Sequence, residues 1–165
     1  MKKNVLGFTL MENLVAVMII GVGMLGMVGM QITGVRSNQG AYNRTQASIM
    51  ATDIIDRMRM NSAQAIAGAY DNFTTEDNEI DSPACATTAA GCNAATIVNL
   101  DKAEWSDLVS GTEDSAILLP DAVGTITRGA GNLFTIQITW NETDWDADAQ
   151  AKAVLQQTYT VNVSL

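Results

Sequence analysis

The sequence predicts an α+β chain, with one long N-terminal helix packed on a small antiparallel β-sheet. Two patterns carry that prediction. A helical pattern runs from Phe8 to about Ala65, and no proline occurs before Pro83 to interrupt it. Toward the C-terminus, Phe134, Ile136, Ile138 and Trp140 alternate with Thr135, Gln137 and Thr139, the period of a strand with one buried face. A chain of 165 residues has room for one compact domain beside its apolar N-terminus and is too short for two.

Lys2 and Lys3 open the chain. No charged residue occurs from Asn13 to Val35, and Leu14 to Met30 contains only apolar residues and glycine. A stretch of that length can span a bilayer as a helix, and the basic start predicts an N-in, C-out orientation in the inner membrane. A secretory signal peptide would show a small-x-small cleavage site and then a mature chain. Here the apolar run continues into a long helical pattern.

Between the lysines and the apolar run lies Gly7-Phe8-Thr9-Leu10-Met11-Glu12. This string resembles the prepilin signature of type IV pilins and type II secretion pseudopilins. The resemblance implies the type IV pilin fold, cleavage by a prepilin peptidase between Gly7 and Phe8, N-methylation of Phe8, and retention of Glu12 for assembly. It divides the chain into a leader, 1–7, a transmembrane and assembly half of the spine helix, 8–35, and a periplasmic globular domain, 36–165. Burying a carboxylate in hydrocarbon costs several kcal/mol unless it is paired or protonated, so Glu12 calls for a partner. The plain alternative leaves it in the head-group region; the resemblance supplies the methylated amine of Phe8, on the same subunit or a neighbour. Many major pilins bend this helix with a proline. This chain has Gly21, Gly23, Gly26 and Gly29 instead, which weaken a helix in water and permit close helix approach in lipid, though ordinary membrane-helix glycine content is the better reading than a specific packing groove. That departure favours a minor pilin.

Beyond Met30 the pattern becomes amphipathic, with Ala47, Met50, Ala51, Ile54, Ile55 and Met58 at spacings of three and four. A helix from Phe8 to Ala65 is roughly 85 Å long at ~1.5 Å per residue. Its end, Asp53-Ile54-Ile55-Asp56-Arg57-Met58-Arg59-Met60-Asn61, resembles that of minor pilins of the PilV kind; read by itself it is a solvated face with local ion pairs. Gly68 to Thr96 has loop composition and holds both cysteines. In the oxidising compartment that the orientation implies, Cys85 and Cys92 are expected to form a disulfide, since two thiolates without histidine do not complete a zinc site.

Leu100 to Val109 reads as a short helix ended by Gly111, with Trp105 as a core anchor. Strand composition follows at Ile117–Leu119, Gly124–Arg128, Leu133–Trp140 and Val154–Leu165, an antiparallel meander. The order of helix, Leu-Pro, glycine-containing strand and Ile-x-Ile-x-Trp again resembles the PilV group. Asp144, Asp146 and Asp148 alternate in an expected loop like the first half of a calcium site, but Ala149 and Leu155 stand where such a loop needs glycine and a bidentate glutamate. A solvated acidic turn is the better reading.

Composition narrows function further. Against 18 Asp and Glu there are 9 Lys and Arg, a formal charge of -9 that repels nucleic acid. Histidine is absent, removing the commonest general base and metal ligand. No Gly-x-Ser-x-Gly or Ser-x-x-Lys places a nucleophile beside a base. The expectation is a non-enzymatic minor pilin without cofactor or metal. Its resemblance implies priming of pilus assembly, a place near the tip, and the pilus roles of adhesion and twitching motility. The partners implied are major and minor pilins, the prepilin peptidase and the inner membrane. A type II secretion pseudopilin is the alternative within the family, and a membrane-anchored periplasmic enzyme or binding protein the alternative outside it.

Overall fold

The computed structural model describes residues 9–76, 80–111, 118–146 and 151–165, with backbone alone at 144–146. It divides into two compact units, Met1–Ala41 and Tyr42–Leu165. Helix α1 spans Leu10–Met60. In the second unit, Ala47, Met50, Ala51, Ile54, Ile55 and Met58 are buried, the stripe that three-and-four spacing predicts. The helix stops short of Ala65 because Asn61 leaves helical geometry, at φ -117° and ψ 43°, and its side-chain amide donates to the Ala94 carbonyl at 2.7 Å. A second helix, α2, then covers Ser62–Ile66.

The expected loop over 68–96 contains more structure than its composition suggests. It holds strand β1, Phe73–Thr74, and a 3-10 turn over Ala84–Thr87. Helix α3, Ala94–Ser110, begins six residues before the expected Leu100. Asn93 supplies the start: its side-chain oxygen accepts from the amides of Ala95 at 3.0 Å and Thr96 at 2.9 Å. Gly111, at φ 70°, ends the helix as expected, in a backbone region that a side chain would disfavour.

Strands β2, Val123–Arg128, β3, Leu133–Asp146, and β4, Ala151–Ser164, complete an antiparallel sheet of order β1-β2-β3-β4. Three expectations change here. Leu118 and Leu119 are not in a strand, and Ile117 lies outside the described residues; Leu119 is a buried core residue ahead of Pro120, whose carbonyl accepts the Asn141 amide. β3 continues past Trp140, and β4 starts before Val154, because the ladder runs on to Asp146 opposite Ala151. Asp144 and Asp146 are therefore strand residues facing Ala153 and Ala151 in register, not members of a turn; Asp148 lies outside the described residues.

Phe134, Ile136, Ile138 and Trp140 form the buried face of β3, and β4 sets Val163, Val161 and Tyr159 opposite the first three. Trp105 is fully buried between α1 and the sheet, its indole N–H donating to the Met50 carbonyl at 2.9 Å. Burying each such large apolar side chain favours folding by about 1.5–3 kcal/mol. Gly124 on β2 makes room for the ring: a Cβ there would lie 2.5 Å from Trp105 Cη2.

Polar side chains tie the helices together. The Tyr70 hydroxyl donates to Asp101 Oδ2 at 2.5 Å, and Arg57 reaches Asp101 Oδ1 at 3.5 Å, Glu104 at 2.5 Å and Asp53 at 2.8 Å. Burial pushes the Tyr70 phenol well above its ordinary range, and the bond to Asp101 adds to the rise. For Arg57, burial acts to lower the pKa, but Glu104 and Asp53 outweigh it and hold the guanidinium more firmly charged. The Asp53–Arg57 and Asp56–Arg59 pairs are the local contacts expected of a solvated face. The reach of Arg57 to α3 is not local, and makes this end of α1 a clamp.

Candidate assembly segment

Thr9 begins the segment. The Glu12 amide donates to Thr9 Oγ1 at 3.3 Å and to the Thr9 carbonyl at 3.1 Å, and the Asn13 amide reaches that carbonyl at 3.3 Å. Thr9 is thus the N-cap of α1, and Glu12 is its third helical residue. Threonine followed three residues later by glutamate is the capping-box sequence, which satisfies amides that a helix start leaves unpaired. Glu12 also places negative charge in the first turn, while Arg57 and Arg59 place positive charge in the last, both complementing the helix dipole. Gly7 and Phe8, the expected cleavage and methylation positions, lie outside the described residues.

From Leu10 through Val35 the large apolar side chains are exposed, from 46% at Val15 to 84% at Leu10. So is Glu12. A row of exposed apolar side chains this long is unfavourable in water and marks a surface meant for lipid or other helices. Among the described residues, α1 is the helix long and apolar enough to cross a membrane. Added Cβ atoms at Gly21, Gly23, Gly26, Gly29 and Gly34 would meet nothing within 4 Å, so these glycines leave shallow, open stretches on the helix.

The remaining singled-out residues lie elsewhere. Cys85 and Cys92 are joined, S–S 2.03 Å with Cα atoms 5.0 Å apart, and Cys92 immediately precedes the Asn93 cap of α3. Among the described residues no group of three or more His, Cys, Asp or Glu side chains is arranged to hold a metal ion. The capping role of Thr9 escaped the sequence reading although its signature, Thr-x-x-Glu before an apolar run, is contiguous. The Tyr70–Asp101–Arg57 group had no such signature, since its members are 13 to 44 positions apart.

Comparison with known families gives two adjacent matches. Residues 2–28 match the prokaryotic N-terminal methylation motif, and residues 29–103 match the family described as type IV pilin Tt1218. No curated protein and no solved structure matches the chain. The N-terminal apolar helix and the motif fit membrane anchoring and incorporation into a pilus. The chain is thus similar to type IV pilins over residues 29–103 and to the prepilin-type methylation motif over residues 2–28, and its long helix and four-stranded antiparallel sheet are consistent with the type IV pilin fold.

Proposed function

We propose that this chain is a minor pilin of the PilV kind, a structural subunit that primes type IV pilus assembly and stays near the pilus tip. A prepilin peptidase removes residues 1–7 and methylates Phe8. Residues 8–35 hold the subunit in the inner membrane, N-in, until it enters the pilus beside other major and minor pilins, and residues 36–165 form the periplasmic domain. The lack of a proline in the apolar segment supports the minor class. One observation carries the assembly reading: Glu12, a carboxylate in the first turn of a capped helix, heads an uncovered apolar surface. Removing water around that surface strengthens the attraction between Glu12 and a Phe8 amine, so the pairing gains most in a packed helix bundle.

Glu12→Gln and Glu12→Val separate charge from capping. Glutamine can still serve a capping box, whereas valine cannot. Both variants are expected to be cleaved after Gly7 and retained in the membrane, and both to be depleted from sheared pili. If Glu12→Gln enters pili at the wild-type level while Glu12→Val does not, Glu12 acts as a cap and the charge-pairing mechanism fails.

A further inference from the structure

We propose that the solvent face of the sheet, across β2, β3 and β4, binds a neutral β-linked polysaccharide. The proposal deepens the pilin reading, on which it rests only for carrying this face outside the cell. The face lies wholly within the unit Tyr42–Leu165.

Strand register composes the face. Ile126 on β2, Ile136 on β3 and Val163 on β4 are buried in the core, so the alternate residues of each strand point the other way. One cross-strand row is Thr125, Gln137 and Thr160, and the next is Thr127, Thr135 and Asn162. Val123, Thr139 and Thr158 form a third. Along β3 and β4 the pattern continues as Asn141 with Gln156 and Thr143 with Val154. No charged residue stands in these rows, in a chain with 18 Asp and Glu and 9 Lys and Arg. Charge returns at the margins: Glu76 beyond β1, Lys152 one row beyond Val154, and Asp121, whose carboxylate accepts from the Asn141 amide at 3.2 Å. Threonine is a good strand former, so its presence alone calls for no ligand. The exclusion of charge does, because Lys, Glu, Asp and Arg ordinarily populate solvent faces. A face kept free of them suits a contact in which desolvating a charge would be costly.

Chemistry and shape identify the occupant. Without charges the face has nothing to pair with phosphate or an anionic polymer. Its apolar side chains are Val123 and Val154, which supply no large anchor of the kind that holds a protein partner. What it offers is hydrogen bonding in both senses, since each hydroxyl and each amide side chain can donate and accept. The Thr135 hydroxyl donates to Asn162 Oδ1 at 2.7 Å and that of Thr139 to the Val123 carbonyl at 3.4 Å. Among the described residues, no side-chain hydrogen bond engages Thr125, Thr127 or Gln137. A ligand that replaces water there must itself donate and accept, as hydroxyls do. Neighbouring side chains on such a face stand about 4.8 Å apart between strands and about 6.8 Å apart along them, and the strip from Thr135 to Thr143 is about 27 Å long. That is an elongated grid, suited to an extended polymer rather than a small molecule. A β-linked neutral polysaccharide is a flat ribbon with hydroxyls along both edges at spacings of this order. Threonine, stiff at χ1, loses little freedom on meeting it.

The test mixes the mature full chain, in a detergent without a sugar head group, with microcrystalline cellulose or chitin and measures the protein left in solution across a concentration series. Saturable depletion is expected, little changed by added salt because no ion pair forms. Gln137→Lys with Thr160→Glu sets opposite charges at directly paired positions, which keeps net charge and sheet pairing, and is expected to weaken binding about tenfold. Thr125→Val with Thr127→Val removes two hydroxyls at nearly constant shape and is expected to weaken it several-fold. Neither variant should melt below the wild type. No saturable binding to either polymer, equal binding to the anionic polysaccharide alginate, or release at high salt overturns the proposal. So does unchanged binding by either variant. Wild-type binding by a charge-pair variant that no longer enters sheared pili marks the face as a subunit interface and overturns it too. Each of these results leaves the pilin reading standing, whereas a chain never cleaved after Gly7 overturns that reading and, with it, the placement of the face outside the cell.

Discussion

Replacing Gly124 with alanine adds one methyl group where the structure has no space for it. Its Cβ would lie 2.5 Å from Cη2, 2.9 Å from Cζ2 and 3.1 Å from Cζ3 of Trp105. Carbon atoms in contact sit ~3.5–4.0 Å apart, so ring or strand must move by about 1 Å. The ring is fully buried, bonded to the Met50 carbonyl at 2.9 Å and set 6.1 Å from the Phe73 ring, so it cannot shift without losing one of these contacts. Overpacking a closed core costs about 1–3 kcal/mol, partly offset by the ~0.5 kcal/mol that alanine gains over glycine through the unfolded chain. The expected net loss is about 1.5 kcal/mol, or a fall in Tm of roughly 4–8 °C for a domain of this size. Denaturant unfolding of the mature chain in mild detergent measures it. Trp105→Phe, which shortens the ring system, should recover part of that loss in the double variant. An equal cost of Gly124→Ala with tryptophan or phenylalanine at 105 would refute the steric argument, as would no cost at all.

Two further outcomes follow from named contacts. Tyr70 has its pKa raised by burial and by Asp101, so its stabilising contribution is complete below the unfolded value of about 10 and is lost as pH rises from there through the folded value. Lys102, whose pKa burial lowers, changes stability in the opposite sense over neighbouring pH, so the comparison must be wild type against Tyr70→Phe: the difference between their unfolding free energies should shrink above pH ~10, and a constant difference would contradict the assignment. Replacing both Cys85 and Cys92 with serine opens a loop closed across seven positions and should lower stability by about 2–3 kcal/mol on loop entropy, with α3 loosened at its Asn93 cap; hydrogen exchange at Ala95 and Thr96 unchanged from wild type would rule out that local effect.

What could be read from the sequence was whatever repeats locally. The buried stripe of α1 and the alternation in β3 are periodic, and both appear where the periods place them. The leader motif is a contiguous string beside a long apolar run, so no tertiary contact is needed to find it. Interruptions set by distant partners were not legible. Asn61 breaks α1 while its amide bonds to Ala94, 33 residues away, and no feature of the local sequence announces that bond. Asn93 does announce a helix, but it sits among Ala, Thr and Gly residues whose loop-like composition concealed the cap. Asn141 to Asp146 is polar and acidic, poor material for a strand by propensity, and is strand because β4 continues beside it. Gly124 reads as an ordinary weak point in a strand until the ring of Trp105 is found over it.

The central claim is that the chain is cut at its prepilin motif and enters a pilus. Intact-mass spectrometry of the chain recovered from sheared pili tests it directly. The predicted species begins at Phe8, has one added methyl group on its N-terminal amine, keeps the Cys85–Cys92 bond, and has lost Lys2 and Lys3, which moves its formal side-chain charge from -9 to -11. A chain that still begins at Met1, in a host whose pilins are processed, would contradict the account.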